Sequence, residues 1–296
     1  MNVFGKKGFK KWMPLLGLLP AIIVFGAFKI YPSIMTFIYS FTQYSGIPGT
    51  PLHFVGLENY KMAFSGFSGI GKAIRITIIF ALCVTLLQNA LGLFAALVFN
   101  KKTRGTVFYR SLVFLPVVLS VVVTGLIWSL LFSPIGGPIE PIWKAVFGHS
   151  SSFFGSNTLA LPLVIFVQIW QNAGFTMVVY LAGLQTVPTE LLESAQLDGA
   201  SRWQRFRHVL FPMIAASTTV NVLLCVIGAL GTYDLIYVLT GGQFGTMTLG
   251  MDMFNTAFGG SNQLGYGSMI QMLQFALVLI VTLILQWYLR RREVEL

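Results

Sequence analysis

The chain has 296 residues, of which 55% are hydrophobic and only 9% are charged. That balance lies outside the range of soluble globular proteins and excludes a soluble enzyme or binding domain. The formal net charge is +10, which alone would suit nucleic acid or anionic lipid. The bases cluster at the ends of apolar runs, however, so they indicate membrane topology, and we expect a lipid bilayer and no nucleic acid as partner.

Six apolar stretches are each long enough to cross a bilayer, which takes about 20 residues. We therefore predict an all-α membrane protein in which residues 1–296 form a single transmembrane domain. The predicted spans are 13–40, 75–99, 109–132, 158–185, 213–239 and 266–289. The first span begins basic, like a signal peptide, but it runs beyond signal length without a small-residue cleavage site, so we interpret it as a retained helix.

One stretch of the first outer loop imitates a nucleotide site. Residues 66–73 read GFSGIGKA, close to a phosphate-binding loop. Ala73 occupies the position where Ser or Thr must reach the magnesium ion, and no strand precedes the glycines. We therefore expect no nucleotide, metal or other cofactor on this chain.

The longest strongly polar stretch runs from Pro188 to Pro212. Thr189 is expected to cap a short helix. Gly199 supplies the stop, because glycine adopts the left-handed C′ conformation without steric cost. Ser201 is expected to cap a second helix over residues 202–210. A helix, a glycine turn and a helix between two membrane spans indicate a docking element.

This stretch resembles the EAA loop of binding-protein-dependent ABC importer permeases. The motif is Glu193-Ser194-Ala195, then Asp198-Gly199-Ala200, then a Phe and a Pro, with Ser194 where the family has its first Ala. The resemblance implies the MetI-like fold of type I ABC importers, with a loop that docks on cytoplasmic ATPase subunits. ATP and magnesium would bind those partners, and no catalytic residue is expected here. The implied coupling residues are Glu190, Glu193, Ala195, Asp198, Gly199, Ala200, Phe206 and Pro212.

The distribution of bases gives an independent orientation. With six spans, fourteen of the nineteen Lys and Arg residues fall on the same side of the membrane as the 188–212 loop. The positive-inside rule then places this loop and both termini in the cytoplasm. We expect a multi-pass protein of a bacterial or archaeal cell membrane.

Further stretches resemble the carbohydrate branch of these permeases, the maltose and oligosaccharide (MalF-like) members. They are 101–116 (KKTRGTVFYRSLVFLP), 233–242 (YDLIYVLTGG) and 264–268 (LGYGS). The resemblance implies a sugar substrate, an extracytoplasmic sugar-binding protein, a second homologous permease and two ATPase subunits. In that context Asp234 is interpreted as a structural acid that caps residues 240–242.

The fourth predicted span carries a polar face. Gln168, Gln171, Asn172 and Phe175 occupy positions i, i+3, i+4 and i+7 of a helix. Three amides are costly against lipid, so this face must contact protein or a water-filled cavity. Beside Trp170, the amides suit sugar hydroxyls and the aromatic rings suit the C–H face of a sugar. In the maltose-type permeases the corresponding turns line the sugar site.

A second candidate face lies on the fifth predicted span, near Asn221. Helix–helix packing is the alternative for both faces, because amides and small residues commonly mediate it in membrane bundles. Gln88, Asn89, Gln271 and Gln274 are assigned to packing. The substrate candidates on the fifth span are Cys225, Gly228, Ala229, Thr232 and Tyr233.

Three other functions remain as alternatives. One is an ABC importer of a non-sugar solute, which would share the loop. An ion-coupled secondary transporter should carry paired intramembrane acids or broken helices in repeated halves, and neither is evident. A membrane enzyme would need a catalytic constellation, but His53, His149 and His208 lie in separate loops on opposite sides of the membrane.

Overall fold

The computed structural model describes residues 17–65, 69–100 and 105–291. Parts of the sequence signals lie outside these residues: the start of the first span at 13–16, the basic residues of the N-terminus and of 101–104, and positions 66–68 of the phosphate-loop imitation. The helices in chain order are α1 (Gly17–Tyr39), α2 (Glu58–Ala63), α3 (Ile70–Phe99), α4 (Thr106–Phe114), α5 (Val121–Leu131), α6 (Ile139–Phe147), α7 (Ala160–Gln185), α8 (Thr189–Leu197), α9 (Arg202–Met213), α10 (Ala215–Gly231), α11 (Asp234–Thr240), α12 (Leu249–Phe258) and α13 (Leu264–Arg290).

Four helices, α1, α3, α7 and α13, are each long and apolar enough to cross a membrane. Two bent helix pairs, α4 with α5 and α9 with α10, bring the number of spans to six in the described chain if each pair is one span. This architecture confirms the all-α prediction.

The third predicted span, 109–132, is not a straight helix. α4 continues through a 3-10 turn at Leu115–Val118 and then meets α5 at an angle of 99°. Pro116 lies in this turn and has no backbone N–H to continue an α-helix. Ser120 is extended and its hydroxyl accepts a hydrogen bond from the Val123 N–H at 3.3 Å, which starts a new helix.

The fifth predicted span, 213–239, also needs correction. Its helix α10 ends at Gly231, and Thr232 is extended, with ψ of 127°. The remaining residues form the separate helix α11, which stops where Gly241 adopts a left-handed φ of +61°. The chain bends by 70° between α9 and α10. An apolar run of sufficient length therefore does not specify a continuous helix.

The core lies among α3, α7, α10, α11 and α12. Glycines bring the helices close: a Cβ at Gly92 would clash with Thr176, one at Gly183 with Ser217, and one at Gly174 with the backbone of Val113. Small residues at such crossings allow tight packing without a hydrophobic driving force. In contrast, the apolar window of α1 buries no residue within the chain.

Loops and short helices cover the end of the bundle away from α8 and α9. The two-residue strands β1 (Thr42–Gln43) and β2 (His53–Phe54) pair antiparallel, with Thr42 opposite Phe54. Asn59 donates hydrogen bonds to the carbonyls of Ser40 and Thr42, both at 2.9 Å, and ties this loop to the end of α1.

Candidate substrate cavity and coupling loop

Two adjoining cavities lie within the bundle. The small cavity, of about 170 Å³, opens between α3, α7 and α10. The large cavity, of about 580 Å³, lies between the α4–α5 bend, α7 and the end of α10. Gln168, Asn172 and Gly228 line both. All nine residues chosen from the sequence line one cavity or the other: Gln168, Gln171, Asn172, Phe175, Cys225, Gly228, Ala229, Thr232 and Tyr233.

Gln168 and Asn172 are half-buried, and their polar groups are only partly engaged. The side-chain amide of Gln168 makes no hydrogen bond within the part of the chain that the structure describes. Asn172 donates Nδ2 to the Gln168 carbonyl at 3.0 Å, one turn back on α7. The side-chain oxygen of Asn172, Oδ1, has no hydrogen-bond partner among the described residues. These amides therefore offer both donors and acceptors to a solute in the cavity.

Gln171 has a different role from its neighbours. It is buried, and its Nε2 donates to the Leu119 carbonyl at 3.1 Å. Leu119 lies at the 99° bend between α4 and α5, so this bond satisfies a carbonyl that the broken helix releases. Gln171 lines the large cavity and also holds the bend that shapes it.

Three of the four amides assigned to packing form interhelical hydrogen bonds in the described chain, and Gln271 has no such bond there. Gln88 Nε2 donates to the Thr176 hydroxyl at 2.9 Å, and Gln274 Nε2 donates to the Leu230 carbonyl at 2.9 Å. Tyr180 donates its hydroxyl to Asn89 Oδ1 at 3.0 Å. Asn221 is buried and lines the small cavity, but its Nδ2 also donates across helices, to the Thr176 carbonyl at 3.2 Å.

The aromatic side chains that line the cavities are not all those expected from the sequence. Trp170 lines neither cavity: it packs edge-on against Trp128, with 5.3 Å between ring centroids. Phe175 is 41% exposed and lines the small cavity. Tyr233 lines the large cavity and stacks on Phe254 at 5.4 Å. Phe175 and Tyr233 therefore supply the aromatic faces.

Asp234 does not cap residues 240–242. Its Oδ1 accepts a hydrogen bond from the Leu235 N–H at 2.8 Å, at the start of its own helix α11. The exposed carboxylate also lines the large cavity, which the sequence interpretation missed. Asp234 directly follows Tyr233, a substrate candidate, and this position in the sequence could have indicated that it lines the cavity.

The loop between α7 and α10 has the predicted helix–turn–helix form. Gly199 has φ of +79°, the left-handed value, and the Ala200 N–H donates to the Ala195 carbonyl at 3.0 Å. Ser201 and Gln204 form a capping box at the start of α9. The expected cap at Thr189 is absent, since Pro188 occupies the N-cap and no side chain caps α8.

The motif residues of this loop divide into three groups. Glu190, Glu193 and Asp198 are exposed and form no ion pair within the described part of the chain. Ala195, Ala200 and Gly199 shape the turn between the helices. Phe206 instead stacks on Trp203 at 5.5 Å, and Pro212 lies where α9 meets α10. The loop thus presents unpaired carboxylates on one face and an aromatic pair on another.

Among the described residues, no group of three or more His, Cys, Asp or Glu side chains is placed to hold a metal ion. The residues that line the two cavities offer hydrogen bonding, aromatic contact and the carboxylate of Asp234.

Comparisons with known proteins agree with this architecture. Residues 88–294 match the family described as binding-protein-dependent transport system inner membrane component. The multiple sugar-binding transport system permease protein MsmF of Streptococcus mutans is 31% identical over 281 residues, 94% of this chain and 96% of that protein. The trehalose/maltose transport system permease protein MalF of Thermococcus litoralis is 30% identical over 270 residues, 91% of this chain and 90% of that protein.

Solved structures show the same fold. A chain in the crystal structure of a bacterial ABC transporter involved in alginate import superimposes with a TM-score of 0.84 at 23% identity, covering 96% of this chain and 98% of that one. Because the family model matches more than half of its residues, the chain belongs to the family of binding-protein-dependent transport system inner membrane components.

Proposed function

We propose that this chain is a permease subunit of an ATP-driven carbohydrate importer and forms the translocation pathway with a second homologous permease. The observation that carries the proposal is that nine residues from two separate spans line two adjoining cavities. The relatives named for multiple sugars and for trehalose and maltose support the same solute class.

The chemistry of the cavity walls suits a sugar. Gln168 and Asn172 present amide donors and acceptors, which match hydroxyl groups in both roles. Phe175 and Tyr233 present ring faces to the apolar side of a sugar ring. The carboxylate of Asp234 adds a strong acceptor at the large cavity. The small cavity, which is mainly apolar with a few placed polar groups, has the usual form of a small-molecule site.

Energy enters through the 188–212 loop. The exposed acids Glu190, Glu193 and Asp198 have no partner within the described chain, and they suit a basic groove on an ATPase. ATP binding would close two cytoplasmic ATPase subunits, move the docked loops and switch the cavity from inward- to outward-facing. ATP and magnesium bind those subunits, and an extracytoplasmic binding protein delivers the sugar. Both termini of this chain lie in the cytoplasm under this proposal.

The first span contributes to assembly. The apolar window of α1 buries none of its residues within the chain, although α1 contacts α13. Because so much of its apolar surface is exposed, α1 can pack on the second permease.

The proposal can be tested by asking which energy source drives uptake. The measurement uses vesicles that contain this chain assembled with the subunits encoded next to it in the genome. Uptake of a sugar should stop when ATP is depleted and survive collapse of the proton gradient at constant ATP. The opposite pattern would establish a secondary transporter. A panel of sugars and amino acids presented with the cognate binding protein checks the solute class. Transport of amino acids alone would place the chain among the non-sugar importers.

A further inference from the structure

A groove of about 750 Å³ lies between α3 and the second helix of the coupling loop. One wall comes from the last three turns of α3 and includes Ala90, Phe94 and Leu97. The other wall comes from α9 and includes Arg202 and Arg205. The groove is separate from both substrate cavities, with which it shares no residue.

We propose that this groove binds one anionic phospholipid of the cytoplasmic leaflet, with an acyl chain against α3 and the phosphate on Arg202 and Arg205. The inference rests on the proposed orientation, which places the coupling loop at the cytoplasmic surface. It goes beyond that function, because it makes the position of α9 depend on membrane lipid.

Within the described part of the chain, the apolar wall is left exposed. Phe94 is 66% exposed although it lies inside a span, and Trp203 is 65% exposed on the facing helix. Leu93 and Leu97 line the groove and pack behind it on the core cluster around Met177 and Tyr180. A wall on a membrane-crossing helix is adjacent to acyl chains, and Trp is enriched where such a wall meets the headgroups.

The charges of the groove all have one sign. Arg202 and Arg205 lie one turn apart on α9, and no Asp or Glu among the described residues lines the groove. Arg205 Nη1 donates to Gln196 Oε1 at 2.6 Å, which leaves other N–H groups of the same guanidinium unused. Two guanidiniums beside an apolar wall complement a phosphodiester joined to acyl chains, because the guanidinium fork binds phosphate oxygens.

The location favours lipid over the ATPase as the occupant. The exposed acids Glu190, Glu193 and Asp198, proposed to dock the ATPase, do not line the groove. A water-soluble partner would have to enter the bilayer to reach Phe94. The cytoplasmic leaflet carries anionic lipid, and basic pockets between helices on that side are typical sites for anionic headgroups.

The bound lipid would link two elements. Its headgroup would hold α9 by Arg202 and Arg205, while its chain would rest on α3, whose opposite side contributes Gln88 to the small cavity. Occupancy would therefore stabilise one position of the coupling loop relative to the bundle. Transport should then depend on the anionic fraction of the membrane.

The test uses the purified full chain in detergent, titrated with phosphatidylglycerol or phosphatidylcholine and examined by native mass spectrometry. Wild type should retain one phosphatidylglycerol in preference to phosphatidylcholine. The double variant Arg202→Gln/Arg205→Gln should lose this preference by about tenfold, because it removes both charge-assisted contacts to the anionic headgroup. The matched control Arg207→Gln/Arg290→Gln removes two bases outside the groove and should retain it.

A second variant separates the groove from general charge attraction. Ala90 is exposed and lines the apolar wall, so Ala90→Trp should fill the groove with both arginines in place and also abolish the adduct. Inorganic phosphate should not displace the lipid, because it lacks the acyl chain. Equal loss in the double variant and its control, equal retention of both lipids, or an undiminished adduct in Ala90→Trp would each overturn the proposal. The measurement needs neither sugar nor ATP, so its failure would leave the proposed transport function standing.

Discussion

The coupling loop and the cavity walls both place polar side chains in an apolar chain, but they hold them by different means. In the loop, the bonds are local: the Ser201–Gln204 capping box and the Ala200 N–H to the Ala195 carbonyl. In the bundle, Asn221 reaches Thr176 across 45 residues of sequence, and Tyr180 reaches Asn89 across 91. The shape of the loop therefore depends on its own residues, whereas the shape of the cavity depends on how the helices pack.

The largest expected effect comes from breaking the local geometry of the loop. Gly199→Pro should abolish uptake while the protein still inserts in the membrane. Proline fixes φ near −65°, whereas Gly199 has φ of +79°, and it removes the N–H that donates to the Gln196 carbonyl at 3.1 Å. The measurement is uptake together with co-purification of the ATPase.

Gly199→Ala is the matched control for that variant. It keeps the N–H and costs about 1–2 kcal/mol for the left-handed conformation, so a partial loss is expected. The loop would not transmit motion if the proline variant showed wild-type uptake and normal co-purification.

The next effect comes from filling the cavity without disturbing its walls. A Cβ on Gly228 would meet nothing within 4 Å, so Gly228→Leu should fold normally and place its side chain in both cavities. Most sugar uptake should be lost, with a thermal midpoint close to wild type. Gly71→Leu, at an equally open position outside the cavities, should preserve both. Undiminished uptake by Gly228→Leu would show that the solute passes elsewhere.

The smallest effect distinguishes the two classes of amide directly. Asn172→Leu should weaken uptake by about one to two orders of magnitude, because a buried hydrogen bond to substrate is lost and its partner is left unsatisfied. Asn221 is 2% exposed and donates to the Thr176 carbonyl at 3.2 Å. Asn221→Leu should instead lower stability by about 1–3 kcal/mol.

Uptake and thermal midpoints are measured on the same preparations of both variants. If Asn172→Leu loses stability in step with uptake, its face serves packing. If only Asn221→Leu reduces uptake, and does so at normal stability, the substrate site lies on the α10 side of the small cavity.

Much of this molecule is determined locally and was predictable from its sequence. The apolar runs identify the spans because crossing a bilayer is a matter of length and composition. The turn at Gly199 and the cap at Ser201 were predictable because each depends on residues within one or two helical turns. The same local signals failed at Thr189, where Pro188 occupies the cap position.

Tertiary structure decided the rest. Length and composition do not reveal that the third span bends by 99° after Pro116 or that α10 stops at Gly231, since either run would also suit a straight helix. Gln168 and Gln88 both line the small cavity, yet the Gln168 amide has no partner in the described chain and the Gln88 amide bonds to Thr176. That difference depends on which helix lies opposite, a contact 88 residues away in the sequence that no local pattern encodes.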